Sequence, residues 1–210
     1  MENRFKLIYV GDPMCSWCYG FSPELSKLVS TWGDQADFEM LMGGLRPYAR
    51  EPMDERTSRF LHRHWQEVGK ITGQPFDYRL LERNDFYYAT EVPSRAVLAV
   101  RQLAPGRELA FFQSVQRAFY AKNKDTNQEQ TYLELAGELA IDADRFLKLF
   151  RSAALKEQVK SEFNRARQMG VTGFPTVLFV KGTTAVPVCA GFAKAEQINA
   201  LIEQQLNTGV

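Results

Sequence analysis

Cysteine is scarce in this chain, with three among 210 residues. That is too few for a structural disulfide framework. Histidine is scarcer, only His62 and His64. Two residues apart on a helix, they point to different sides, and with Cys189 they do not complete a tetrahedral set, so no metal site is expected. Net charge is nearly absent at +1, which removes the electrostatic case for nucleic acid or a membrane surface as partner. No apolar run approaches the roughly 18 residues needed to cross a bilayer. There is no GxGxxG and no P-loop, so no nucleotide or flavin cofactor is expected. There is no internal repeat and no low-complexity tract. The N-terminal segment Met1-Glu2-Asn3-Arg4-Phe5 carries no apolar stretch with a small-residue cleavage site, and a cytoplasmic location is the expectation.

What is present is an ordinary globular composition, 45% hydrophobic and 24% charged. It is long enough for one domain, or one domain with an insertion. Residues 5–10 read as a buried strand, Pro23 to Thr31 as a helix with Leu25, Leu28 and Val29 on one face, and Phe38 to Met42 as a second strand closed by Gly43-Gly44. After the linker Arg46 to Pro52 the period changes to 3.6. Leu61, Trp65 and Val68 follow i, i+4, i+7, as do Phe111, Val115 and Ala118, then Tyr132, Ala136 and Leu139. Asn127 and Asp142 are the expected helix caps, and Gly106, Gly137 and Gly170 the punctuation. After Gly170, Thr176 to Val180 and Val186 to Ala190 read as a hairpin around Lys181-Gly182-Thr183-Thr184, with Pro187 favouring an edge. Ala193 to Leu206 closes as a helix. The expected architecture is α/β: a thioredoxin-like core of β-α-β plus β-β-α, residues 1–48 and 170–210, interrupted by an all-helical insertion, 49–169.

Two of the three cysteines fall into Cys15-Ser16-Trp17-Cys18, where the first strand hands over to a helix. The nucleophile of thiol–disulfide exchange is the thiolate. At the start of a helix, free N–H groups and the helix dipole favour the Cys15 anion. Cys18 follows one turn later on the same face, more buried, able to resolve a mixed disulfide. Ser16 offers a hydroxyl to a sulfur. Trp17 is either core or a docking surface, and both readings stay open. The second motif is Val171-Thr172-Gly173-Phe174-Pro175-Thr176. A cis-proline facing the dithiol leaves the backbone of Phe174 free to pair with an extended substrate beside Cys15. Cys189, in an apolar strand, reads as a buried small hydrophobe. The aromatics Phe86-Tyr87-Tyr88 and Phe111-Phe112 read as helical core, some of which could line a groove over Cys15, since an inserted domain must pack near the active face.

Asp12-Pro13-Met14-Cys15-Ser16-Trp17-Cys18-Tyr19-Gly20-Phe21, with Gly170-Val171-Thr172-Gly173-Phe174-Pro175-Thr176, resembles the DsbA-type thioredoxin-fold family, in its FrnE-like, cytosolic, protein disulfide isomerase-like branch. The resemblance implies a thiol–disulfide oxidoreductase or isomerase acting on protein or small-molecule thiols and disulfides. It assigns Cys15 as nucleophile, Cys18 as resolving thiol and Pro175 as the cis-proline. It needs no cofactor, electrons passing to or from another thiol system, for which glutathione is a candidate. The related proteins place a buried acid six residues before the first cysteine, where this chain has Tyr9. Asp12 is then the nearest upstream acid and the candidate proton acceptor for Cys18. The Ser-Trp pair leaves the direction of electron flow open. Two alternatives remain: a glutathione-dependent isomerase or transferase of the kappa or 2-hydroxychromene-2-carboxylate isomerase type, and a non-catalytic chaperone-like binding protein. The former usually carries serine in place of the first thiol, so an intact pair argues for redox work.

Overall fold

A computed structural model describes residues 4–208; Met1 to Asn3, the start of the N-terminal segment read above, lie outside them. Strand β1 (Phe5–Gly11), helix α1 (Ser16–Trp32) and strand β2 (Ala36–Met42) open the chain. Six helices follow: α2 (Glu55–Thr72), α3 (Glu91–Leu103), α4 (Glu108–Tyr120), α5 (Glu129–Glu138), α6 (Ala143–Phe150) and α7 (Ala153–Gln168). A 3-10 turn, Tyr78–Glu82, lies between α2 and α3. Strands β3 (Thr176–Lys181) and β4 (Thr184–Ala190) and helix α8 (Ala195–Asn207) close it. The sheet order is β2-β1-β3-β4, with β1 parallel to β2 and every other pairing antiparallel. This is the thioredoxin-like arrangement with a helical insertion.

Side-chain caps explain several helix starts. Asp54 and Asp142 accept from the N–H groups of Thr57 and Arg145, both at 2.8 Å, and Ser152 accepts from Leu155 at 3.2 Å. Each satisfies an orphan donor of a first turn. Two expectations shift. Asn127 is not a cap, because its own N–H folds back on the Asp125 carboxylate at 2.8 Å, and α5 starts after Gln128 without a side-chain cap. Gly137 lies inside α5, whereas Gly106 and Gly170 take positive φ. Helix α1 begins well before Pro23 and carries that proline inside it. The capping geometry of Cys15 starts the helix earlier than its apolar face alone indicates.

Alternation along β1 separates two faces. Phe5, Leu7 and Tyr9 join Phe21, Leu25 and Leu28 of α1 and Ile198 and Ile202 of α8. Ile8 and Val10 meet Leu41, Leu178 and Ala166 of α7 on the opposite face. Val159 and Phe163 of the same α7 reach into the core shared with the inserted helices. A half-buried ionic cluster ties that insertion to the sheet. Arg101 of α3 pairs with Glu108 at 2.6 Å and with Glu162 of α7, and donates to the Met40 carbonyl at 2.8 Å. Glu162 in turn accepts from the Met42 N–H at 2.9 Å. The edge strand β4 carries Pro187 opposite Leu178, beside a register shift. A proline is tolerated there because one side of the strand lacks a neighbour.

Candidate active site

The chain leaves β1 at Gly11 and turns sharply. The buried Asp12 carboxylate organises the turn, accepting from Met14 N–H at 2.8 Å and Leu45 N–H at 2.7 Å. Cys15 N–H closes on the Asp12 carbonyl at 3.1 Å. Cys15 is thereby set in extended conformation as the N-cap of α1, its sulfur accepting from the Cys18 N–H at 3.3 Å. A sulfur in that position receives the helix's first-turn donor in place of the usual serine or aspartate oxygen. Both thiols are free. Cys15 is 5% exposed and Cys18 0%, so only the first can meet a substrate. Burial, and then the neighbouring Cys15, push the Cys18 thiol well up, with the Asp12 main chain pulling it back. Cys18 therefore rests as a neutral thiol.

The Phe174–Pro175 peptide bond is cis, and the Phe174 carbonyl accepts from the Cys15 thiol at 3.6 Å. The Pro175 carbonyl is held by Gly191 N–H at 2.8 Å. The Phe174 ring lies against Gly43, where a Cβ would come within 2.2 Å of it. A groove of about 470 Å³ opens beside it, lined among others by Val171, Thr172, Leu178 and Pro187.

The remaining expected residues are more scattered. Ser16 is buried, and among the described residues its hydroxyl bonds neither sulfur; the sulfur it was expected to serve is met by main-chain groups instead. Trp17 is half-buried, 5.9 Å from His64 of α2 edge-on and 6.0 Å from Phe192. His64 also stacks on the exposed Phe60, and His62 lies against Tyr78. The two histidines thus face aromatic neighbours on different sides. Cys189 is buried, donates to the Gly191 carbonyl at 2.9 Å and has its thiol pushed up to about 11 by burial. The Asp12 carboxylate is met by the main-chain N–H groups of Met14 in the turn and Leu45 beyond β2, and among the described residues no hydrogen bond joins it to Cys18.

The aromatic run around Tyr88 reaches the site, as its sequence allowed. Tyr88 donates to the Met14 carbonyl at 2.6 Å, and Met14 and Tyr19 sit in an aromatic cluster with Trp65, Phe86, Phe119 and Tyr120. The insertion therefore supports the dithiol turn from behind. Gly43-Gly44 was legible only as the end of a strand, although Gly43 makes room for Phe174.

Residues 6–202 match the profile of the DSBA-like thioredoxin domain. The chain belongs to that family. Among solved members it is similar to a candidate protein disulfide isomerase from Nitrosomonas europaea, at 30% identity over 99% of this chain and 100% of that one, with a TM-score of 0.91. It is also similar to the cytosolic disulfide reductase DsbM from Pseudomonas aeruginosa, at 26% identity over 97% and 99% of the two chains and a TM-score of 0.80. DsbM is known with GSH as well, at 25% identity over 96% and 99% of the chains and a TM-score of 0.77. A curated relative is the ClpXP adapter protein SpxH of Bacillus subtilis, 22% identical over 80% of this chain. The chain spans 56% of the length of that relative.

Within this DSBA-like domain Asp12 has a measurable signature. Burial pushes its carboxyl up to about 6, with the Leu45 and Met14 N–H groups opposing. Folding thus favours the protonated form. That preference is fully felt below the unfolded value near 3.9 and fades as pH rises through about 6. Asp12→Asn does not titrate, so its stability relative to wild type should rise by up to about 3 kcal/mol from acid to neutral pH. Urea denaturation of both proteins at several pH values measures this, and a flat difference would contradict it.

Proposed function

We propose that this protein is a cytosolic thiol–disulfide oxidoreductase working as a disulfide reductase, with Cys15 attacking and Cys18 resolving. One observation carries the assignment of roles. The Cys15 sulfur sits at the helix N-terminus receiving an N–H, while Cys18 is fully buried and kept protonated. The first sulfur sits at a helix terminus with access to substrate, and the second is held in reserve.

The Cys15 thiolate attacks one sulfur of a substrate disulfide. The substrate S–S bond breaks, its distal half leaves as a thiolate and takes up a proton, and Cys15 is joined to the other half. Cys18 then attacks Cys15 and gives up its proton. The mixed disulfide breaks, the second half leaves as a thiol, and Cys15–Cys18 is oxidised. Two external thiols restore the dithiol. Phe174, whose carbonyl already meets Cys15, is the main-chain group an extended substrate would pair with, and Trp17 with Ser16 forms the other rim. Glutathione is the proposed small thiol partner, supported by the likeness to a cytosolic reductase known with GSH.

Equilibration against glutathione buffers, with acid quench and mass analysis, tests this reading. The expected product is an intramolecular Cys15–Cys18 disulfide with a potential nearer thioredoxin's, about −270 mV, than DsbA's, about −120 mV. A strongly oxidising potential would reverse the proposed direction, and absence of the disulfide would remove the function.

A further inference from the structure

Tyr9 stands where it should not be comfortable. Its ring is fixed on β1 between Phe21, stacked at 6.1 Å, and Phe112, edge-on at 5.9 Å. The hydroxyl end overhangs Gly11 so closely that a Cβ there would lie 2.4 Å from the oxygen. The residue is 0% exposed, and its hydroxyl forms no well-aligned hydrogen bond to any group. An unpaired buried hydroxyl is costly and is normally removed as phenylalanine. Phe21, on which the ring stacks, lies one turn beyond Cys18 in α1, and of the polar groups around the hydroxyl the Cys18 sulfur acts on it most strongly, ahead of Cys15 and Asp12.

The two states of that sulfur account for the arrangement. A neutral thiol is a weak acceptor, so in the resting protein the hydroxyl goes unsatisfied. A thiolate is a charged acceptor, and charge-assisted bonds are roughly twice as strong as neutral ones. The bond therefore forms when Cys18 ionises to attack. An interaction absent in the ground state and present in the transition state accelerates the step.

We propose that Tyr9 is a hydrogen-bond donor for the resolving step, stabilising the Cys18 thiolate as it attacks the mixed disulfide on Cys15. The inference rests on the redox reading above and adds to it. Burial keeps the phenol protonated, so Tyr9 donates a hydrogen bond and takes no proton. The net step is unchanged: Cys18–SH and Cys15–S–S–R give Cys15–S–S–Cys18 and R–SH, the Cys18 proton ending on the departing thiol.

Rapid acid quench after mixing reduced protein with oxidised glutathione separates the two steps by mass. In Tyr9→Phe, formation of the Cys15–glutathione adduct should keep its rate. Its resolution should slow on the order of ten-fold at neutral pH, with the pH profile of resolution displaced to the alkaline side. Resolution at the wild-type rate at every pH overturns the proposal. If Tyr9→Phe does not fold, 3-fluorotyrosine at position 9, a more acidic donor, should speed resolution, and an unchanged rate overturns the proposal equally. If the wild type forms the adduct and never the Cys15–Cys18 disulfide, the redox reading itself fails and Tyr9 loses its role with it.

Discussion

Cys15→Ser is expected to lose disulfide-reductase turnover on the order of a thousand-fold or more, whereas Cys18→Ser should retain the first chemical step and stall after it. The asymmetry follows from position. Only the Cys15 sulfur combines access with a helix-terminal donor, and a serine hydroxyl there is far too weak an acid to supply an anion at neutral pH. The Cys18 position has no route to substrate, so its loss leaves Cys15 able to attack and nothing to release the adduct. With insulin or oxidised glutathione, Cys18→Ser should accumulate a mixed disulfide at Cys15, visible as a mass increase that dithiothreitol removes. Adducts at Cys18 in Cys15→Ser would reverse the roles. Substantial turnover in Cys15→Ser would return attention to the glutathione-dependent isomerase reading.

The second large effect is on stability. Arg101→Met should cost about 3 kcal/mol in urea denaturation at neutral pH. Arg101, Glu108 and Glu162 have side-chain exposures of 25%, 19% and 12%, so removing the cation leaves two carboxylates confined together with little water. Burial already holds the Glu108 carboxyl up despite Arg101. The damage also spreads along the network, because Arg101 anchors the Met40 carbonyl and Glu162 anchors the Met42 N–H. Acid should relieve part of the loss as the carboxylates protonate. Adding Glu162→Gln to Arg101→Met should recover part of it at neutral pH. A loss independent of both pH and Glu162 would point to packing instead.

The sequence was most legible where period and punctuation agreed. The two strand pairs, the order of the elements and the edge placement of Pro187 follow from apolar runs and turn residues. The start of α1 follows from the dithiol, whose first cysteine is placed at a helix N-terminus, although the apolar face alone begins only at Pro23. The dithiol and the Phe174-Pro175 loop stood out by residue type and spacing. Their surroundings did so less, because Gly43 and His64 act through contacts between distant segments and have no local pattern. Asp12 illustrates the difference: its acidity near the thiols was readable, but its two backbone donors come from the fold, one of them at Leu45 across the next strand.

The Cys15 thiol and the carbonyl that receives it are 159 residues apart, and β1 lies between an early neighbour, β2, and a late one, β3. Synthesis runs from the N-terminus. The dithiol therefore leaves the ribosome long before Phe174 exists, beside a strand with one edge open. Until then the nascent chain presents uncovered thiols and an unpaired ladder, both open to mispairing with other chains. The exchange chemistry waits on a segment 159 residues beyond the first thiol, so a chain terminated before Phe174 carries the reactive pair without the loop that disciplines it.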